Sequence, residues 1–357
     1  MKNSFKIGKI FGIDIEMHIT FLLLLVIFIW QGAAFFSAII VLFTFVLIHE
    51  LSHSYLAVKY GVKIKKILLL PIGGVAIMES IPREPKKELI ISLAGPLSNY
   101  FIAFLILVFS NIIGMEILWS NTHPKLFQEF NVENLILFAF WINIVLASFN
   151  LFVPAYPMDG GRILRALLAT KMGYLQATEI AVNIGKSISI FMIIFGVFYN
   201  IFLVLIGFFI YIGASAEISH IGMEYALKGI KAKDIMTEHV VMVNEEATLE
   251  ELYNIILNTR HMGYPVVRDS EIVGMVTFGD LARVPKERWK HLKVKDIMSK
   301  KVIFCPPETE VLEIVRIMNR EEIGRILVME DGRIKGIISK TDIVRAMRIA
   351  RLKVLEK

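Results

Sequence analysis

Residues 36–58 read FSAIIVLFTFVLIHELSHSYLAV, an apolar run that carries His49-Glu50-Leu51-Ser52-His53 inside it. Roughly 20 mostly apolar residues cross a bilayer core as a helix, so this stretch has the length of a membrane span. Ionisable side chains at that depth are expensive and functional by default. On a helix, positions i and i+4 share a face, so the two imidazoles can reach one metal ion, and Glu50 can address a water held there. The competing reading, a buried hydrogen-bonded histidine pair, leaves the cost of burying them unexplained.

The surroundings agree with a membrane setting. The 357-residue chain is 55% hydrophobic and 20% charged, with a mean hydropathy of +0.62, outside the range of one water-soluble domain and opposite to disorder. Residues 1–217 hold 15 Lys/Arg and 12 Asp/Glu, whereas residues 218–357 hold 24 and 21. The first region reads as membrane-embedded and the second as soluble. Net charge is +6, spread as +3 in each part, too little and too dispersed for a nucleic-acid partner. A single cysteine, Cys305, removes any disulfide framework or cysteine-based zinc knuckle and reads as a reduced, packed thiol. The first apolar run lacks a small-residue cleavage site, so it reads as a retained helix rather than a signal peptide.

Hydropathy predicts six helices at about 17–33, 36–58, 89–113, 134–152, 177–198 and 200–216, with Lys186 inside the fifth. Basic residues flank them on one side: Lys2, Lys6 and Lys9; Lys59, Lys63, Lys65 and Lys66; Arg83, Lys86 and Lys87; Arg162, Arg165 and Lys171. The loop 114–133 is acidic. Both termini are therefore expected in the cytoplasm of a multi-pass cell-membrane protein. Residues 62–81 are apolar but broken by Pro71, Gly73 and Gly74, which predicts a hairpin dipping into the membrane with the glycines at its tip, rather than a surface loop.

A catalytic zinc takes three protein ligands and an open position, so a third ligand is expected. Asp159 is the strongest candidate, in Asn150-Leu-Phe-Val-Pro154-Ala-Tyr-Pro157-Met-Asp159-Gly160-Gly161-Arg162, where prolines and glycines interrupt the helix. It could instead be a helix N-cap. Glu79, Glu179, His18 and Asp14 have no breaker motif or paired ligand beside them.

These two motifs, in this order, resemble the site-2 protease family of intramembrane zinc metalloproteases, across residues 1–217. More narrowly, the chain is similar to the branch that carries a C-terminal CBS pair and includes the sporulation-factor-processing enzymes. The resemblance implies zinc on His49, His53 and Asp159, Glu50 as catalytic acid/base, and Asn150 as oxyanion stabiliser. It implies a structural or substrate-facing role for Gly73-Gly74 and for Gly95-Pro96-Leu97-Ser98-Asn99. The substrate would be a transmembrane protein that must unwind locally, and the hairpin edge near Gly73-Gly74 could pair with the unwound strand.

The second region repeats itself. Lys233-Asp-Ile-Met236 recurs as Lys295-Asp-Ile-Met298, and Gly274-Met-Val-Thr277-Phe-Gly-Asp280 as Gly336-Ile-Ile-Ser339-Lys-Thr-Asp342, both 62 residues apart, while Gly263 and Gly324 are offset by 61. Short β-branched runs alternate with amphipathic helices in each copy, the pattern of two α/β units that bury apolar faces against each other. Residues 230–350 closely resemble a tandem CBS pair. That resemblance implies an adenine nucleotide (ATP, ADP or AMP) held by Thr277/Asp280 and Ser339/Asp342, with His261 and Arg325 near phosphate, and self-association through these modules. On spacing alone, Ser/Thr-x-x-Asp also reads as a helix N-terminus. The basic stretch 285–293 reads as a solvated connector and 345–357 as the closing helix.

The expected organisation is multi-domain: an α-helical polytopic membrane protease domain (1–217), a linker (218–232), CBS module 1 (233–284), a connector (285–294), CBS module 2 (295–350) and a tail (351–357). The expected function is a zinc endopeptidase performing regulated intramembrane proteolysis within the lipid bilayer. A CBS-regulated channel or transporter with an intramembrane metal site is the alternative, disfavoured by the lack of internal repeats in residues 1–217.

Overall fold

The computed structural model describes residues 4–78, 84–115, 117, 130–269 and 271–355, the last five for their backbone alone. The chain divides into two units, Met1–Ile221 and Gly222–Lys357.

In the first unit, strands β1 (Ser4–Ile10) and β2 (Ile13–His18) precede helices α1 (Ile19–Trp30) and α2 (Ala33–Lys59). Strands β3 (Ile64–Leu70) and β4 (Gly73–Met78) follow, then helices α3 (Pro85–Ile112), α4 (Val132–Phe152), α5 (Asp159–Ala169), α6 (Tyr174–Tyr199) and α7 (Ile201–Leu227). Five of these, α2, α3, α4, α6 and α7, are long and apolar enough to cross a membrane. No more than a third of the most apolar window of each is buried within the protein, so their remaining apolar faces call for lipid.

The expected first span is corrected. Its residues divide between β2 and α1, and twelve helical residues reach only about 18 Å, short of a hydrocarbon core of about 30 Å. The chain switches at His18, whose Nδ1 accepts from the Thr20 backbone N–H as the N-cap of α1. The expected hairpin forms, but as half of a four-stranded sheet ordered β1-β2-β3-β4, antiparallel except for the β2–β3 pair. Its tip is Pro71-Ile72; Gly73 and Gly74 pair with Leu70 and Leu69 at the start of β4. Arg165, expected as a flanking surface charge, is fully buried. Its guanidinium donates to Glu88 on α3 and, at 2.6 Å, to Glu217 on α7, between the rings of Tyr156 and Tyr174. Expectations for Glu79, Arg83 and most of 114–133 fall outside the described residues.

In the second unit, helix α8 (Ala232–Ile235) leads into β5 (Val243–Asn244), α9 (Leu249–Thr259), β6 (Gly263–Arg268), β7 (Glu271–Thr277) and α10 (Phe278–Ala282). The repeat runs through α11 (Val294–Ile297), β8 (Phe304–Cys305), α12 (Val311–Arg320), β9 (Arg325–Glu330), β10 (Arg333–Ser339) and α13 (Lys340–Leu355). Each copy has a three-stranded sheet, one pair parallel and one antiparallel.

The copies interlock. Leu227 and Ala232 pack into the core of the second copy with Cys305, Val311 and Ile338, while Val294 packs into that of the first with Leu249 and Val276. Main-chain bridges Thr237–Ile337 and Met275–Ser299 are the same contact made twice, 62 residues apart. So each Lys-Asp-Ile-Met segment serves the other copy's core. The stretch 285–293 is not a free connector either: the Trp289 indole N–H donates to the Val284 carbonyl at 3.0 Å and its ring packs on Tyr253.

Candidate metal centre

Helix α2 carries His49 and His53 one turn apart, and α5 begins with Asp159; all three are less than a tenth exposed. Asp159 is the first residue inside α5, Met158 being the N-cap, so the capping alternative is corrected: its side chain turns away to the histidines. Asp159 Oδ2 lies 3.1 Å from both imidazole Nε2 atoms, which lie 3.1 Å from each other. This is the sole cluster of three such ligand atoms found among the described residues.

The outer nitrogens of the two rings fix what the inner ones can do. His53 Nδ1 faces the carbonyl of Ile91 at 2.6 Å, an acceptor, so it must donate its proton there. His49 Nδ1 donates to Asn99 Oδ1 at 3.1 Å. In the neutral state that metal ligation requires, both rings present bare Nε2 lone pairs to each other and to a carboxylate, three acceptors around one point. A cation relieves that repulsion. Tetrahedral zinc with bonds of about 2.0–2.1 Å holds neighbouring ligand atoms roughly 3.3 Å apart, close to the triangle present, so the residues fit zinc.

Helix α3 shapes the floor. A Cβ on Gly95 would stand 2.2 Å from His53 Nε2 and 2.6 Å from His49 Nε2, so a side chain there would occupy the cradle. Sequence reasoning had Gly95 and Asn99 only through resemblance and assigned them no contact. Their proximity is a long-range product of α2 packing on α3, and nothing in local pattern announces it.

Glu50 is half-buried against β4: a Cβ on Gly74 would lie 2.7 Å from its Cγ. The start of β4 thus runs beside the carboxylate. Asn150, near the end of α4, gives one amide hydrogen to the Leu146 carbonyl at 3.0 Å and retains a second; no hydrogen bond joins it to the triad. Among the other candidate ligands, Asp14 pairs with Lys6 at 2.5 Å, His18 caps α1 and Glu179 is exposed on α6.

In the second unit, Thr277 and Asp280 cap α10 reciprocally: Asp280 Oδ2 accepts from the Thr277 N–H at 2.9 Å and hydroxyl at 2.6 Å. Ser339 and Asp342 do the same at α13, at 2.8 and 2.6 Å. The capping reading is realised in both, and each leaves Asp Oδ1 outside the box. Ser339 and Asp342 also line a cleft of about 330 Å³ together with His261 and Arg325.

Helices that need lipid and a buried His-His-Asp cluster beside a glutamate define the class, a membrane metallopeptidase. Comparison with known proteins gives the family. Residues 37–195 match peptidase family M50, and residues 232–287 and 294–349 each match the CBS domain. The chain is 45% identical over 359 residues to zinc metalloprotease MJ0392 of Methanocaldococcus jannaschii, covering 99% of this chain and 98% of that protein. Stage IV sporulation protein FB of Bacillus subtilis is 32% identical over 158 residues, 42% of this chain and 49% of that one. A solved site-2 protease from Methanocaldococcus jannaschii is 46% identical, covering 60% of this chain and 95% of its own, with a TM-score of 0.46. The chain belongs to the site-2 protease family, as a zinc metalloprotease with two CBS domains.

Proposed function

We propose that this protein is an intramembrane endopeptidase in which His49, His53 and Asp159 hold one zinc ion and Glu50 is the general acid/base, acting on a membrane-anchored protein. The observation that carries this reading is the triangle of three ligand-type atoms, each 3.1 Å from the next, with Glu50 one residue away on the same helix. Bound zinc supplies an acidified water and a Lewis acid for the scissile carbonyl. Glu50 accepts a proton at its carboxylate and returns it to the leaving amine. The second N–H of Asn150 donates to the oxyanion. Asn99 and the Ile91 carbonyl hold the rings with Nε2 inward.

β4 is an edge strand of its sheet, so its outer main-chain groups can pair with an unwound substrate strand beside Glu50. Val75, about half exposed, is the position from which a photocrosslinker should capture substrate, and repeated failure there would count against strand pairing. The basic residues Lys59, Lys63, Lys65, Lys66, Lys86 and Lys87 support a cytoplasmic end of α2 and start of α3. From there the four spans α3, α4, α6 and α7 return the chain to the cytoplasm, and the parallel β2–β3 pair keeps the N-terminal strands on that face, with β2 and α1 together making the first crossing. An adenine nucleotide in the CBS pair regulates access. The test is cleavage of a reconstituted single-span membrane reporter by wild type and Glu50→Gln, with zinc content measured. Cleavage that persists in a zinc-loaded Glu50→Gln protein overturns the assignment of the base, and wild type that binds no zinc overturns the metal site.

A further inference from the structure

The internal repeat of the second unit gives its Ser339–Asp342 cleft a counterpart set of residues in sequence, and the chemistry of the two sets differs. The cleft is lined by His239, Arg260, His261, Tyr264, Arg325, Arg345 and Asp342 above the Ser339 turn, with Val240, Val241, Pro265 and Ile337 as an apolar wall. Shifting by the repeat of 61–62 residues gives the other set. There Lys301 replaces His239, Glu321 and Glu322 replace Arg260 and His261, Arg283 replaces Arg345 and Asp280 replaces Asp342, while Tyr264 and Arg325 exchange places. Leaving histidines aside, the cleft sets three arginines against one carboxylate. The second set places one lysine and two arginines, Arg325 being common to both, against three carboxylates.

The two cations that belong to the second set alone are already matched. Lys301 donates to Glu321 at 2.6 Å and Arg283 lies 4.0 Å from Asp280, while the neutral Tyr264 is tied to Thr259 and to the His261 carbonyl. The arginines of the first are not. Among the described residues no carboxylate comes within salt-bridge distance of Arg260, Arg325 or Arg345, although many neighbouring cations are paired, Lys231 and Lys233 with Glu308 and Lys295 with Glu246. Arg325 is half-buried, and that burial pulls its pKa below the ordinary arginine value. A partly desolvated, unpaired guanidinium is stabilised by an anion that can accept its fork of N–H donors. Asp342 spends Oδ2 on the Ser339 turn and keeps Oδ1 as the acceptor in this cationic setting, suited to a hydroxyl donor such as a ribose diol.

We infer that the CBS pair binds one nucleotide per chain, in the Ser339–Asp342 cleft alone, and that it prefers a polyphosphate (ATP or ADP) over a monophosphate. This rests on the proposed nucleotide role of the pair and narrows it from two sites to one.

The experiment is equilibrium binding of ATP, ADP, AMP and adenosine to the purified full-length protein. The expected result is one ATP per chain, with affinity falling in that order. Arg325→Gln should weaken ATP about tenfold and leave adenosine nearly unchanged, Asp342→Asn should weaken all four, and Asp280→Asn should match wild type. If Arg325→Gln does not fold, the exposed Arg345→Gln serves the same purpose. Two ATP per chain, equal affinity for ATP and AMP, or loss of binding in Asp280→Asn with a normal melting profile overturns the single-cleft inference but keeps the nucleotide role. Wild type that binds none of the four overturns the nucleotide role itself.

Discussion

Arg165 in the membrane unit and Lys293 in the second unit each face a glutamate, yet the two pairs obey different physics. Arg165 and Glu88 are both essentially unexposed, whereas Lys293 and Glu246 are each nearly half exposed. In the membrane unit ionisable groups are few and costly to bury, so each buried one has a partner or a ligand to face: His49 and His53 face Asp159, and Arg165 faces Glu88 and Glu217. In the second unit charges are abundant and cheap, most pairs lie in water, and the informative ones are those left unmatched around one cleft. A charge is a signal of function where its surroundings make it expensive, and a lack of pairing is the signal where they do not.

The sharpest way to break this comparison is at Glu50. Glu50→Gln keeps the side-chain volume and the three ligand atoms and removes the proton carrier. Peptide cleavage should fall by about 10²–10⁴-fold with zinc content unchanged, measured as turnover of a reconstituted reporter beside metal analysis. A variant that retains near-normal turnover would make Glu50 one more buried charge without a task.

Next in size is Gly95→Ala. The added methyl must displace both imidazoles or push α3 away, so zinc affinity should drop by about 10–100-fold, the range seen when a supporting shell is disturbed. Gly173→Ala, where an added Cβ meets open space, is the control and should bind zinc as wild type does. Equal zinc affinity in the two variants would remove Gly95 from the site.

What the sequence made legible follows the same division. His49, Glu50 and His53 were readable because they sit within one turn of an apolar helix, and Asp159 because breakers surround it. Gly95 and Asn99 were not, since their contacts with α2 span roughly half a hundred residues of chain. The first two strands escaped notice because Ile13–His18 runs directly into apolar α1, and its partner β3 begins only at Ile64. Arg165 read as a topology marker because nothing local reveals carboxylates that come from α3 and α7. In the second unit the 62-residue repeat exposed the architecture, yet the exchange of the Lys-Asp-Ile-Met segments between copies is invisible to periodicity, which reports similarity and not contact.

Arg165→Gln tests the buried pair. It leaves Glu88 without its counter-charge, and loss of one partner of a buried pair costs about 3–5 kcal/mol. Thermal unfolding of the full-length protein in detergent should show a lowered transition for the membrane unit. Arg165→Lys should not restore it fully, because one ammonium cannot reproduce the planar fork that reaches Glu88 and Glu217 together. An unchanged transition would place Arg165 with the surface charges after all.

The smallest effect belongs to the exposed pairs. Glu246 accepts from Lys293 and Lys295, and Glu308 from Lys231 and Lys233, so each carboxyl is held down to about 2 from an ordinary 4.5. A depressed folded pKa contributes stability that is present in full above 4.5 and fades as pH falls towards 2. These two clamps join the copies symmetrically, so between those pH values the second unit should loosen modestly, followed by its thermal transition at stepped pH. Salt should blunt the effect, because the pairs lie in water. Glu246→Gln with Glu308→Gln should flatten the pH dependence of that transition while leaving its value at low pH nearly unchanged. A full-sized acid response in the double variant would trace it to other carboxylates, such as Glu245 against Arg268, where the same sign of shift holds.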